Sequence, residues 1–194
     1  MSPPGPKIAA IIPAAGFGRR AGGPKLSLRI GDNSFLSIVY RTLVVLPVHP
    51  LIVVVQPPFQ EWASRECPHG LILVNVSPER GMISSILLGA RHAGTVQGFL
   101  IAPVDHPFTK AETCRLLIDE FNRHPESVIL PEYQSRSGHP IIVPFSLLLR
   151  EMPVGIEGGL QALIRQYQTP KITIPVDDPG ILKNINYAQD MAAH

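Results

Sequence analysis

"IIPAAGFGRRAGGPKLSL", residues 11–28, decides how the chain is read. An apolar run breaks into Pro13, Ala14, Ala15 and Gly16. Gly18, Gly22 and Gly23 follow, and Arg19, Arg20 and Lys25 place three cations within seven positions. The run it grows from, "KIAAII" (7–12), is short and continuously apolar, as in a strand covered on both faces. A strand ending in small residues brings backbone N–H groups close to a ligand, and such turns favour anions. Arginine forks match phosphate oxygens. The physical reading is a phosphate cradle; a Gly-rich surface loop with solvated arginines has the same composition. The G-x-x-x-x-G-K-[ST] spacing is absent. The G-x-G-x-x-G fingerprint fails at its third place, where Ala21 stands.

Outward from that loop, short apolar runs alternate with helical patterns. Strands are expected at 51–55 ("LIVVV"), 71–76 ("LILVNV"), 98–105 ("GFLIAPVD") and 171–176 ("KITIPV"). "SVILPEY" and "HPIIVPF" flank "QSRSG" as a hairpin. Helices are expected at 34–46, 59–67, 82–94 and 110–124, over "GLQALIRQY" and over the final "YAQDMAAH". Alternating strands and helices imply an α/β fold with a mostly parallel sheet and helices on both faces. Ligands of such sheets sit at the carboxyl ends of the strands. That directs attention to Pro13–Lys25, Val76–Ser85 and Asp105–Pro107.

Composition agrees. The chain has 194 residues, long enough for one domain with a real core, spanning 1–194. Net charge is +2, which gives no reason to expect nucleic acid as a partner. The 21 prolines punctuate loops between many short elements. Cys67 and Cys114 make neither a disulfide framework nor a metal spacing, as expected of a reducing cytoplasm. The apolar block at 43–55 is broken by two prolines and a histidine, so no membrane span is expected.

Other residues can carry chemistry. Asp105 is a lone carboxylate at the tip of an apolar strand. It suits Mg²⁺ held between a carboxylate and phosphates, or it caps the turn before Pro107. His106 reads as a loop histidine with ordinary hydrogen bonds. Gly81 precedes a helix whose Ser84 and Ser85 can meet a nucleobase edge or the backbone. "SGHP" (137–140) and "GIEGGLQAL" (155–163) are further candidate ligand loops.

Residues 14–25, "AAG-x-G-x-R-x-G-G-P-K", resemble the signature of MobA-like nucleotidyltransferases. "PERGMISSI", "VDHP", "SGHP" and "VDDPGILKNINYAQD" are similar to that family's later segments, in the same order. The resemblance implies a Rossmann-like three-layer α/β/α fold of the nucleotide-diphospho-sugar transferase type. It is closest to the molybdenum cofactor cytidylyltransferase branch, because "AAG" is associated with CTP. It also touches 2-C-methyl-D-erythritol 4-phosphate cytidylyltransferase, whose "DAARP" turn is absent here. A GTP-dependent guanylyltransferase and a non-catalytic molybdenum cofactor chaperone are the alternatives.

The resemblance also implies residue roles. Pro13, Ala14, Ala15, Gly16, Gly18, Gly81 and Ser85 would contact the nucleotide. Arg20 and Lys25 would bind the triphosphate. Asp105, with Asn186, would hold Mg²⁺. Gly138 and His139 would lie near the acceptor. CTP and a phosphorylated small molecule, molybdopterin foremost, are the implied partners, with a molybdoenzyme as client. "NINYAQD" carries Asn184 and Asn186 where acidic residues are common in the family, so the second metal ligand would be an uncharged amide.

Overall fold

The structure is a computed structural model that describes residues 7–18, 23–148 and 159–185. β1 (Ile8–Pro13) leads through a 3-10 turn (Lys25–Ser27) to a small hairpin of β2 (Arg29–Ile30) and β3 (Asn33–Ser34). Then come α1 (Phe35–Val44), β4 (Leu51–Val55), α2 (Gln60–Glu66), β5 (Leu71–Val74), α3 (Met82–His92) and β6 (Gly98–Ile101). The second half holds α4 (Ala111–Arg123), β7 (Val128–Tyr133), β8 (Arg136–Ser137), β9 (Ile141–Pro144), α5 (Phe145–Leu148), α6 (Gly159–Gln166) and β10 (Lys171–Pro175).

The main sheet runs in the order β10-β7-β9-β6-β1-β4-β5, with β8 beside β7. β1 is parallel to β4 and β6, β4 to β5, and β7 to β10. β9 runs antiparallel between β6 and β7. Every residue of β1, β4, β6 and β9 is buried. That is why these segments read as unbroken apolar runs, whereas the edge strand β10 alternates. One core lies beneath α1, α2 and α4, and the other beneath α3, α5 and α6. The result is the expected three-layer α/β/α fold with a mostly parallel sheet.

Local chemistry sets the element ends. Ser34 caps α1, its Oγ accepting from the Ser37 amide at 3.0 Å. The fourth strand stops at Ile101, short of the expected Asp105: Ala102 still donates to the Ile11 carbonyl, but Pro103 has no N–H to continue the ladder. The third strand likewise ends at Val74 rather than Val76. The turn in "QSRSG" is tighter than expected. Gln134 and Ser135, both at positive φ, join β7 to β8, and the chain then inserts β9 beside β6. The expected helix "YAQDMAAH" lies outside the described residues.

Candidate active site

Because β1, β4, β5 and β6 are parallel, the loops leaving them share one edge of the sheet. The loop after β1 is fixed from below. Ala14 donates to the Val54 carbonyl at 2.8 Å, and Gln56, just past β4, donates its side-chain amide to the Ala15 carbonyl at 2.9 Å. Ala14 packs in the core and is not among the residues that line the cleft described next. Gly18 adopts φ +59, and a Cβ there would collide with the Gly23 carbonyl. The Gly23 amide in turn donates to the Gly18 carbonyl at 3.3 Å, so the two glycines tie the ends of the turn together. Arg19 and Arg20 fall between them, outside the described residues.

Pro13, Ala15, Gly16, Gly18, Lys25, Gly81, Ser85 and Asp105 line one cleft of about 200 Å³. All three expected loops thus meet there. At its centre Lys25 Nζ lies 2.7 Å from Asp105 Oδ2, both side chains mostly buried. Lys25 is presented by the 3-10 turn whose next residue, Leu26, is completely buried. Asn184 Oδ1 is 3.4 Å from the same ammonium. Asn184 therefore reaches the site, while Asn186 lies outside the described residues.

The wall of the cleft at Ser85 depends on a residue that sequence reasoning missed. Asn75, buried just past β5, donates to Ser84 Oγ at 2.8 Å and Ser85 Oγ at 2.9 Å, and accepts from the Ser77 amide. A polar residue ending an apolar strand at this edge is the same signal that singled out Asp105.

Gly138 and His139 line a second cavity of about 780 Å³, which shares Gly81 and Met82 with the cleft. His139 packs against His106 with ring centroids 5.0 Å apart. The Nδ1 of each ring is buried without a hydrogen-bond partner, so His106 is not the ordinary loop histidine expected. Burial, followed by the neighbouring His106, pushes His139 down to about 4 against the pull of Asp105. Burial lowers His106 as well, with Asp105 and the Ile181 backbone acting in the opposite sense and Lys25 adding to the fall. Both rings are neutral at pH 7.

Behind this cavity two loops touch backbone to backbone. A Cβ at Gly138 would strike the Ile181 carbonyl, and one at Gly180 the Phe108 carbonyl. The His139 amide donates to the Ile181 carbonyl at 3.0 Å. Asp178, 1% exposed, accepts from the Lys110 amide, Thr113 Oγ1 and the Gly180 amide at 2.7–2.9 Å. It is a scaffold residue and not a ligand residue. Cys67 and Cys114 are buried free thiols pushed up to about 12 by burial, far from nucleophilic.

A family model for the MobA-like NTP transferase domain matches residues 10–171. The chain belongs to this nucleotidyltransferase family. The bifunctional enzyme IspD/IspF of Brucella anthropi is 31% identical over 133 residues, 64% of this chain and 32% of that protein. The match thus spans about a third of that relative's length. Rv0371c from Mycobacterium tuberculosis superposes with a TM-score of 0.79 at 22% identity over 97% of both chains. A second structure of that protein, in complex with manganese, aligns at 0.67 and 20% identity over 89% of both. The 4-diphosphocytidyl-2C-methyl-D-erythritol synthase of Anaerococcus prevotii aligns at 0.76, with 15% identity, over 97% of this chain and 94% of its own. These likenesses show the fold. Among the described residues, no helix is long and apolar enough to cross a membrane.

The donor set suits a hard divalent cation. Asp105 and Asn184 place oxygen atoms around the Lys25 ammonium, and no cluster of three His, Cys, Asp or Glu exists among the described residues. A metal there would take its remaining ligands from phosphates and water, the usual manner of Mg²⁺.

Proposed function

We propose that this MobA-like nucleotidyltransferase transfers CMP from CTP to a phosphomonoester acceptor, with residues 1–194 acting as a single domain. The observation that carries the reading is the Lys25–Asp105 pair, set where the loops after β1, β5 and β6 converge. A triphosphate entering the cleft meets Lys25, with Arg20 as the second cation of the same loop. Ser85 accepts from Asn75, which leaves its own O–H to donate to O2 or N3 of cytosine. Asp105, with Asn184 beside it, would hold Mg²⁺, which supplies charge neutralisation and orients the phosphates.

The acceptor phosphate oxygen attacks the α-phosphorus. A new P–O–P linkage forms, the bond from the α-phosphorus to the bridging oxygen breaks, and pyrophosphate leaves. A dianionic phosphate carries no proton that must be removed, so no general base is required. That agrees with two neutral histidines near the site and no activated nucleophile among its lining residues. Catalysis then rests on positioning and charge neutralisation. Molybdopterin is the acceptor favoured by the absence of the "DAARP" turn, in whose place this chain has "VDHP". The 31% identity to the Brucella bifunctional enzyme favours a second acceptor, 2-C-methyl-D-erythritol 4-phosphate.

The test is calorimetric binding of CTP, GTP, ATP and UTP with Mg²⁺, followed by pyrophosphate release with each acceptor. CTP selectivity is expected, and Lys25→Ala should lower kcat by roughly 10²–10³-fold. A preference for GTP would move the protein to guanylyl transfer. Nucleotide binding without pyrophosphate release would make it a carrier and not an enzyme.

A further inference from the structure

Gln56 and Asn75 stand side by side at the carboxyl ends of β4 and β5. Val55 pairs with Val74, and the Asn75 amide donates to the Val55 carbonyl at 2.8 Å. Two residues earlier, Val54 and Leu73 pack in the core beneath α3, and strand alternation carries Gln56 and Asn75 to that same face. Both are carboxamides, 9% and 6% exposed. Neither lines the nucleotide cleft, yet each holds a residue that does. Asn75 donates to Ser85 Oγ, and Gln56 Nε2 donates to the Ala15 carbonyl at 2.9 Å.

Across a planar trans peptide the N–H points opposite to the C=O. With the Ala15 carbonyl turned down onto Gln56, the Gly16 N–H turns away from Gln56, on the side where Gly16 lines the cleft. Among the described residues that amide donates to no backbone carbonyl. Residue 16 is glycine although a Cβ there would meet nothing within 4 Å and its φ lies outside the left-handed region. Rotating the Ala15–Gly16 peptide by half a turn would reverse both groups and move residue 16 towards positive φ, a region open to glycine. We infer that Gln56 is a positioning residue for the nucleotide: it holds this peptide in the orientation that offers the Gly16 N–H to a phosphate oxygen and keeps the Ala15 carbonyl out of the cleft. The inference rests on the nucleotidyl-transfer reading for its ligand, and on the Gln56–Ala15 bond alone for the peptide's orientation.

Gln56→Leu removes the donor. Gln56→Glu replaces it with a carboxylate that repels the Ala15 carbonyl and accepts the Gly16 N–H of the rotated peptide. Hydrogen exchange of the Gly16 amide, followed by NMR on isotope-labelled glycine without ligand, reads the orientation. It should slow about tenfold in Gln56→Glu, the protection of one hydrogen bond to a charged group. Calorimetry with Mg²⁺ reads the function: Kd for CTP should rise about tenfold in both variants, the same scale of interaction. The kcat for pyrophosphate release at saturating CTP should stay within about twofold, the pattern of lost ground-state binding, because Lys25 and Asp105 are untouched. Thermal melting identifies the folded variants, and Gln56→Leu alone suffices for the binding test. An unchanged CTP affinity in Gln56→Leu, or a loss confined to kcat, overturns the inference. So does unaltered Gly16 exchange in folded Gln56→Glu. If the wild-type chain binds none of CTP, GTP, ATP and UTP, nucleotidyl transfer fails. The exchange measurement, made without ligand, then still decides the peptide's orientation.

Discussion

Asp105→Asn separates two effects that the wild-type site superimposes. In the free protein Lys25 and Asp105 neutralise each other at 2.7 Å, with side chains 18% and 14% exposed. A triphosphate must draw Lys25 away from that carboxylate and bring its own negative charge beside it. In the proposed reaction a divalent cation would offset the repulsion; without metal, Asp105 would oppose the nucleotide. Exposed pairs are worth about 0–1 kcal/mol, and breaking buried ones costs about 3–5 kcal/mol. A pair this shielded falls between, at about 1–2 kcal/mol, or roughly tenfold in Kd. Asp105→Asn should therefore tighten CTP binding about tenfold in EDTA, because Lys25 is released and a like charge is removed. The same variant should lower metal-dependent turnover by roughly 10²–10³-fold. Calorimetry with and without Mg²⁺, beside a pyrophosphate assay, reads both. Weaker metal-free binding would refute the reasoning: Asp105 would then serve the nucleotide by orienting Lys25, and not as the carboxylate a metal shields.

Asn75→Ala removes the donor that fixes Ser84 and Ser85; CTP affinity should fall about fivefold and stability by about 1–2 kcal/mol, read by calorimetry and urea unfolding. Asp178→Asn keeps the shape but replaces an acceptor of three hydrogen bonds with an amide. It should cost about 2–4 kcal/mol in urea unfolding while CTP selectivity persists in the folded fraction. His139, held down to about 4, stays neutral in the folded chain, whereas an unfolded histidine takes up a proton below about 6.5. Stability should thus be full above about 6.5 and fall as pH drops towards 4, by about 2 kcal/mol between pH 7.5 and 5 for this residue. His139→Asn should flatten that slope in urea titrations at the two pH values, and an unchanged slope would show that the ring is not the cause.

The buried strands were legible because burial on both faces leaves no room for polar alternation. β1, β4 and β6 stand in the sequence as plain apolar runs, and the rule of carboxyl ends then located three loops that do meet. What could not be read was order across the sheet. β9 slips between β6 and β7 because strand pairing is decided by long-range packing, which leaves no periodic trace in "HPIIVPF". The Lys25–Asp105 contact joins residues 80 apart and was visible only as two separate candidates. His106 looked bland alone and His139 was marked only by resemblance, since nothing local marks a residue whose partner lies on another loop. The motif residues themselves divide by physical role. Gly16, Lys25, Ser85 and Asp105 face the cleft, whereas Gly138 and Gly180 are small because another backbone lies where a Cβ would be. Asp178 satisfies a part-buried amide, a buried amide and a buried hydroxyl. The "SGHP" and "VDDPG" segments therefore carry two kinds of constraint. Their glycines and Asp178 lock the wall, while Ser137 and His139 line the larger cavity. A short motif that mixes cavity-lining side chains with scaffold residues reads as wholly functional in sequence, and only the packing separates the two.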